Sequence, residues 1–269
     1  MANRCAVLGK PIAHSLSPAM HRAAYARLGL DWTYDAFEVA ESELEDFLRD
    51  CDDSWRGLSL TMPLKRAIID LADEVTTVAG ALRVANTVEF RDGAIIASNT
   101  DCAGALAALA ERGVRKSRSA RILGGGATAT SIAYALASNG VRHIEFFVRN
   151  PDTATRAVEV AEEAGAEVVV RRIDEPLIDV VDLLVSTIPS EAVRKTADEL
   201  IESAHAVFDV IYDPWPTPLG KAAKAAGLPF VSGLDLLAHQ AAFQVELMTG
   251  SPIDVDILRD AALAELASR

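Results

Sequence analysis

Cysteine is scarce in this 269-residue chain: Cys5, Cys51 and Cys102 are odd in number, far apart and without CxxC spacing. Such a set suggests neither a disulfide framework nor a structural metal site, and suits reduced thiols in the cytoplasm. Long apolar runs are missing too. No segment reaches the roughly 20 residues a membrane-spanning helix needs, and the N-terminus, polar by Lys10 and His14, lacks the apolar core of a secretory signal. Positive charge is in deficit, with 26 Lys and Arg against 39 Asp and Glu, a net charge of −13. No Lys/Arg run interleaves with aromatics, so the composition argues against nucleic acid and anionic membranes as partners. An anionic small substrate would need its own local positive group. With no internal repeat or low-complexity segment, the expectation is a soluble cytoplasmic α/β protein of one or two domains.

What is present centres on Arg121-Ile122-Leu123-Gly124-Gly125-Gly126-Ala127-Thr128-Ala129. Residues 120–123 read as a buried strand. Residues 128–139 read as a helix, with Ile132, Ala133, Leu136 and Ala137 on one face and Gly140 as its stop. Between them lies G-x-G-x-x-A. Gly124 allows a tight turn, Gly126 lets backbone approach a pyrophosphate, and Ala129 permits close helix–strand packing. Alone, the motif also fits an S-adenosylmethionine site or a turn with no ligand. The next strand, 143–148, ends in Arg149 about twenty residues on, where a Rossmann domain contacts the adenosine ribose. An acid there would suit NAD. A guanidinium suits the 2′-phosphate of NADP, although a solvated arginine at a strand end is the plain alternative.

About 120 residues precede this unit and alternate strand and helix as well. Strands are predicted over 5–9, 34–39, 57–60 and 84–90. Helices are predicted over 18–28, with Ser17 as N-cap, and over 41–51, and a hairpin turn at Asp92-Gly93. The first turn reads Gly9-Lys10-Pro11-Ile12-Ala13-His14-Ser15-Leu16-Ser17-Pro18 and leads to His21. Two hydroxyls two residues apart can donate to a carboxylate; capping accounts for one of them. Lys65 and Asp101 each close a short polar loop after a strand. A lysine held by an aspartate could protonate a carbonyl oxygen during its reduction; otherwise the two are a surface lysine and an N-cap aspartate.

These residues resemble the shikimate dehydrogenase family, whose opening signature is G-x-P-I-x-H-S-x-S-P-x-x-H. In the same order, Gly57 to Lys65 is similar to G-x-N-V-T-x-P-x-K. Asn86-Thr87 and Asn99-Thr100-Asp101 match two N-T signatures. Tyr212-Asp213-Pro214 to Leu219 is similar to a D-x-x-Y-x-P-x-x-T-P-L loop, and Gly233 to Gln240 to G-L-x-M-L-x-x-Q. The departures are Arg22 and Ser59, each for Asn, Ser186-Thr187-Ile188 for N-A-T, Asp235 for Gly and Leu236 for Met.

The resemblance implies two α/β domains: 1–101 with 236–269 for the substrate, and a Rossmann NADP domain over 102–235. It implies a cleft between them and NADP-dependent, reversible reduction of 3-dehydroshikimate to shikimate in aromatic amino-acid biosynthesis, by a monomer or homodimer; the alternatives are a quinate/shikimate or aminoshikimate dehydrogenase, or a non-catalytic NADP-binding sensor. Lys65 and Asp101 would be the catalytic pair. Ser15 and Ser17 would hold the substrate carboxylate with Tyr212 near it, Asn86 and Gln240 would reach ring hydroxyls, and Thr61 would line the pocket. Gly124, Gly125, Gly126, Ala127, Thr128, Arg149, Ile188 and Gly233 would contact the cofactor, and no metal is implied. Asp235 would touch the nicotinamide end of the site. His14, His21 and His239 read as packed or hydrogen-bonded structure. Further strands are expected over 167–170, 182–186 and 206–211, with helices over 153–164, 236–247 and 257–267.

Overall fold

The apolar run Cys-Ala-Val-Leu places β1 (Asn3–Gly9) inside a six-stranded sheet in a computed structural model of the chain, which describes residues 3–269. Helix α1 (Ser17–Leu28) leads to β2 (Trp32–Glu38); a 3-10 turn and α2 (Leu44–Arg49) lead to β3 (Trp55–Leu60). Then come α3 (Leu64–Ala67), β4 (Glu74–Val75), α4 (Thr77–Leu82), β5 (Thr87–Arg91) and β6 (Ala94–Ser98). The sheet order is β2-β1-β3-β5-β6-β4. β1 runs parallel to both its neighbours, whereas β5 is antiparallel to β3 and to β6. Asp92 (φ 53°) and Gly93 (φ 81°) make the left-handed hairpin turn between β5 and β6. Ala6, Leu8, Leu58, Leu60, Leu64, Ile68 and Val88 form the core of this unit.

Three local expectations are corrected here. Ser17 is not the N-cap of α1: it lies inside the helix, and its N–H donates to Ser15 Oγ at 3.3 Å, so the earlier hydroxyl serves the helix start. The acidic helix expected over 41–51 is shorter, because Glu43 accepts from Ala40 N–H at 2.7 Å and closes a 3-10 turn first. The fourth strand starts at Thr87 rather than 84, since Ala85 N–H is spent on the Lys65 carbonyl at 2.8 Å.

Helix α5 (Asp101–Glu111) precedes the second sheet. There β7 (Ser119–Leu123), α6 (Ala127–Ser138), β8 (His143–Val148), α7 (Thr155–Glu163) and β9 (Glu167–Arg172) alternate. They are followed by β10 (Leu183–Ser186), α8 (Ser190–Val193), α9 (Ala197–Glu202), β11 (Val207–Asp209), α10 (Pro218–Ala225) and β12 (Phe230–Ser232). All six strands are parallel in the order β12-β11-β10-β7-β8-β9, the doubly wound Rossmann order with its reversal between β7 and β10. Ala120, Ile122, Ile132, Ile144, Phe146, Val185 and Phe208 fill the core. Fully buried Arg121 crosses this apolar strand because Glu145, Ser203 and the Asp179 carbonyl take its guanidinium at 2.8–2.9 Å.

Helices α11 (Gly233–Thr249) and α12 (Val255–Ala267) complete the chain. The chain clusters into two units, Met1–Gly104 with Leu237–Arg269, and Ala105–Leu236. Among the described residues, no helix is long and apolar enough to cross a membrane.

Candidate active site

Parallel pairing of β1 with β3 brings the turn after Gly9 and the loop after Leu60 to the same sheet edge. Lys10 N–H donates to the Met62 carbonyl at 2.9 Å, and Thr61 N–H to the Leu8 carbonyl at 2.9 Å. Gly9 makes this approach possible, because a Cβ there would lie 2.9 Å from the Met62 carbonyl oxygen. The sequence Ser15-Leu16-Ser17 and the sequence Thr61 to Lys65 therefore leave the sheet side by side, at the strand C-termini where open α/β sheets bind ligands.

α3 starts four residues past Leu60 and carries Lys65; α5 opens with Asp101, its first turn held by the Asn99 side chain accepting from Cys102 N–H at 3.1 Å. Asp101 is thus not the N-cap that its position also allowed. Lys65 Nζ meets Asp101 Oδ2 at 2.6 Å, with the side chains 13% and 4% exposed. An ion pair this dry is held by strong attraction and is costly to break. Asn86, also buried, donates through Nδ2 to Asp101 Oδ1 at 2.9 Å and to Gln240 Oε1 at 2.7 Å. Gln240 reaches this place because α11 packs closely on α5 at Gly104, where a Cβ would sit 2.9 Å from Gln240 backbone and side chain. Lys65, Asn86, Asp101 and Gln240 are thus brought together, from three helices and the loop before β5. Ser15 and Thr61 are half-buried and Ser17 is buried.

In the second unit Gly124 has φ 105°, so the chain turns sharply out of β7. Thr187 Oγ1, at the end of β10, donates to the Leu123 carbonyl at 2.8 Å and seals the reversal point. A Cβ on Gly125 would lie 2.7–2.8 Å from Ala154, whereas one on Gly126 would meet nothing. Gly126 is the extended N-cap of α6 and brings no side-chain hydrogen bond to the N–H groups of the helix's first turn. That arrangement fits a pyrophosphate. Arg149 is exposed just past β8, and Ile188 lies beside the reversal point after β10. The residues present fit a dinucleotide.

Other expected residues have packing or hydrogen-bond partners of their own. Gly233 has a packing reason to be glycine: a Cβ would lie 2.6–2.8 Å from the Val210 and Ile211 backbone. Asp235, expected at the nicotinamide end, is buried in a capping box: its N–H donates to Ser232 Oγ at 3.1 Å, and Ser232 N–H returns to its carboxylate at 3.0 Å. This box starts α11 at Gly233, three residues before the expected 236. Burial pushes the Asp235 carboxyl up, but Arg112, at 2.5 Å, and Ser232 outweigh it and hold it below the usual carboxylate range. Tyr212 is half-buried in the proline-rich loop after β11. His14 is exposed, which corrects the packed reading given to it, His239 is half-buried, and His21 is fully buried, stacked on Tyr34 with centroids 4.0 Å apart. Sequence reading gave no role to Thr87, Thr100 and Gln244, which join Asn86; the two N-T signatures and the position of Gln244, one helical turn after Gln240, were the signals available.

A buried lysine–aspartate pair in one α/β unit and a glycine-turn Rossmann fold in the other are the parts of an oxidoreductase of the two-unit dehydrogenase class. Residues 7–88 match the family model of the shikimate dehydrogenase substrate binding domain, and residues 233–263 that of the shikimate 5′-dehydrogenase C-terminal domain. A shikimate dehydrogenase (NADP(+)) of Methanopyrus kandleri is 37% identical over 98% of this chain and 96% of its own length. The crystal structure of Mycobacterium tuberculosis shikimate dehydrogenase superposes with a TM-score of 0.88 at 39% identity, covering 97% of this chain and 99% of that one. The Thermus thermophilus enzyme, solved in complex with NADP(H) and shikimate, matches with a TM-score of 0.83 at 33% identity over 97% and 99%. The chain belongs to the shikimate dehydrogenase family.

Proposed function

We propose that this protein is an NADP-dependent shikimate dehydrogenase that interconverts 3-dehydroshikimate and shikimate. The observation that carries the reading is the dry 2.6 Å pair of Lys65 and Asp101 at the strand ends of the unit carrying the substrate-binding match. NADP(H), when bound, supplies or takes the hydride. Lys65 gives a proton to the substrate oxygen in reduction and takes it back in oxidation, and its charge stabilises negative charge building on that oxygen. Asp101 holds the ammonium in place. Ser15 and Ser17 receive the carboxylate, Asn86 and Gln240 the ring hydroxyls, and Thr61 lines the pocket. The N-terminus of α6 with Gly124–Thr128 holds the pyrophosphate, Ile188 offers apolar contact, and Arg149 takes the 2′-phosphate.

The test is reduction of cofactor by the purified protein, followed by absorbance, with shikimate or quinate and with NADP or NAD. Turnover confined to shikimate and NADP is the expected result. Preference for quinate or NAD would overturn the substrate or cofactor assignment, and absence of turnover with every pair would overturn the enzyme reading.

A further inference from the structure

The catalytic-type pair stands at the end of a longer buried chain of polar groups. Tyr34 OH donates to Ser59 Oγ at 2.6 Å, and Ser59 donates to Gln244 Oε1 at 2.8 Å. Gln244 Nε2 donates to the Asn86 carbonyl and to Thr87 Oγ1, each at 3.0 Å. Thr87 Oγ1 donates to Asn86 Oδ1 at 3.0 Å, where Thr100 N–H also arrives at 2.8 Å. Asn86 Nδ2 then faces Asp101 Oδ1 and Gln240 Oε1. All of these side chains are buried.

Counting protons gives the chain a direction. A hydroxyl has one proton, so Ser59, which accepts from Tyr34, must donate onward to Gln244. That places the Gln244 carbonyl oxygen toward Ser59 and its NH2 toward Thr87. Thr87, accepting from Gln244, has its one proton left for Asn86 Oδ1. The Asn86 oxygen is thereby committed, and its NH2 is turned toward Asp101. Buried His21 agrees with this polarity. Its Nδ1 has no partner, its Nε2 lies 3.4 Å from Gln244 Oε1, and burial lowers its pKa to about 3, so the neutral ring can donate only to that oxygen. Reversing one member would set donor against donor, or acceptor against acceptor, among buried side chains.

We infer that Thr87 and Gln244 are positioning residues for the proposed reaction: through one-way hydrogen bonds they fix the Asn86 amide, and Asn86 in turn orients Asp101 against Lys65 and turns the Gln240 amide nitrogen away from Asn86. This inference rests on the shikimate dehydrogenase reading. Ser59, where relatives of the resembled pattern carry Asn, is the donor that sets the direction in this chain.

The test compares Thr87→Val, Thr87→Ser and Gln244→Glu in the full-length protein. Thr87→Val keeps the shape and removes the proton relay; Gln244→Glu keeps the size and replaces a donor with an acceptor. Both are expected to lower kcat for shikimate oxidation by about tenfold or more, the scale of a small misplacement at a reacting centre. KM for NADP should stay within about twofold, because the second unit is untouched, and Thr87→Ser should recover most of kcat. A kcat within about twofold of the native value in Thr87→Val, accompanied only by a lower Tm, would overturn the inference and leave the chain as packing. Equal loss in Thr87→Ser would do the same. Should Thr87→Val fail to fold, Gln244→Glu with the KM for NADP decides in its place. If the native protein turns over no substrate, the functional reading falls first and takes this inference with it.

Discussion

The two units build their strand-end sites from opposite materials. In the first, function would reside in side chains: Lys65, Asp101, Asn86, Gln240 and the polar groups behind them, each satisfied by another. In the second, the corresponding place is made of backbone, with a left-handed glycine, a bare helix start and no polar side chain at its cap. A side-chain site is sensitive to the identity of one atom, because a buried donor left alone costs its desolvation. A backbone site is sensitive to shape, because a Cβ added at Gly124 or Gly125 has nowhere to go. The same kind of substitution should therefore do different things in the two halves.

Lys65→Ala gives the largest expected effect. It removes the proposed proton donor and should lower kcat by roughly 10²–10⁴-fold while KM for shikimate changes little, which steady-state kinetics will read. Turnover within tenfold of native would end the case for a side-chain site. Next is Arg149→Ala, where the loss of a charge-assisted bond, about 1.5–3 kcal/mol, should raise KM for NADP by roughly 10–100-fold and leave NAD use unchanged. An unchanged KM for NADP would return Arg149 to a solvated strand-end residue.

Gly125→Ala tests shape. The new methyl would press on Ala154 and should cost about 1–3 kcal/mol, seen as a lower Tm, with kcat at saturating NADP close to native. A Tm equal to native would show that the turn yields more easily than the comparison supposes.

The smallest effect at neutral pH belongs to His21, which is packed among Tyr25, Tyr34 and Gln244. Burial lowers its folded pKa from 6.5 to about 3, and the Gln244 hydrogen bond offsets this only in part. The stability tied to the neutral ring is full above pH 6.5 and is lost as pH falls toward 3, because the unfolded chain takes a proton that the folded chain refuses. His21→Phe should flatten the fall in Tm between pH 6.5 and 4 relative to native. Parallel curves would mean that His21 is not held neutral.

Much of the second unit was legible in advance. Strands β7 and β8, the turn at Gly124 and the helix after it stand where an apolar run, a glycine and a 3.6-residue period placed them, since each depends on residues within one turn or one strand of itself. The first unit was legible in its motifs but less so in its boundaries. Ser15 rather than Ser17 serves the start of α1, and the backbone before Thr87 is drawn off to Lys65. Both differences come from hydrogen bonds whose competition cannot be read from composition. Asp235 shows the same limit from the other side: the sequence marks it as a departure from the family pattern, and only the structure shows it as a helix cap paired with Arg112, 123 residues away in the chain.

The order of motifs, the charge balance and the periodicities are properties of neighbouring residues, and they carried the fold class, the glycine turn and the candidate Lys65 and Asp101. Which oxygen of which side chain faces which proton is a property of distant ones. Ser59 and Gln244 are separated by 185 positions and Gln240 and Asn86 by 154, yet they meet at 2.8 and 2.7 Å. The direction of that buried chain, and the reason Arg121 tolerates full burial, follow from satisfying every desolvated donor and acceptor at once, a condition that exists only when the sheets have closed around them.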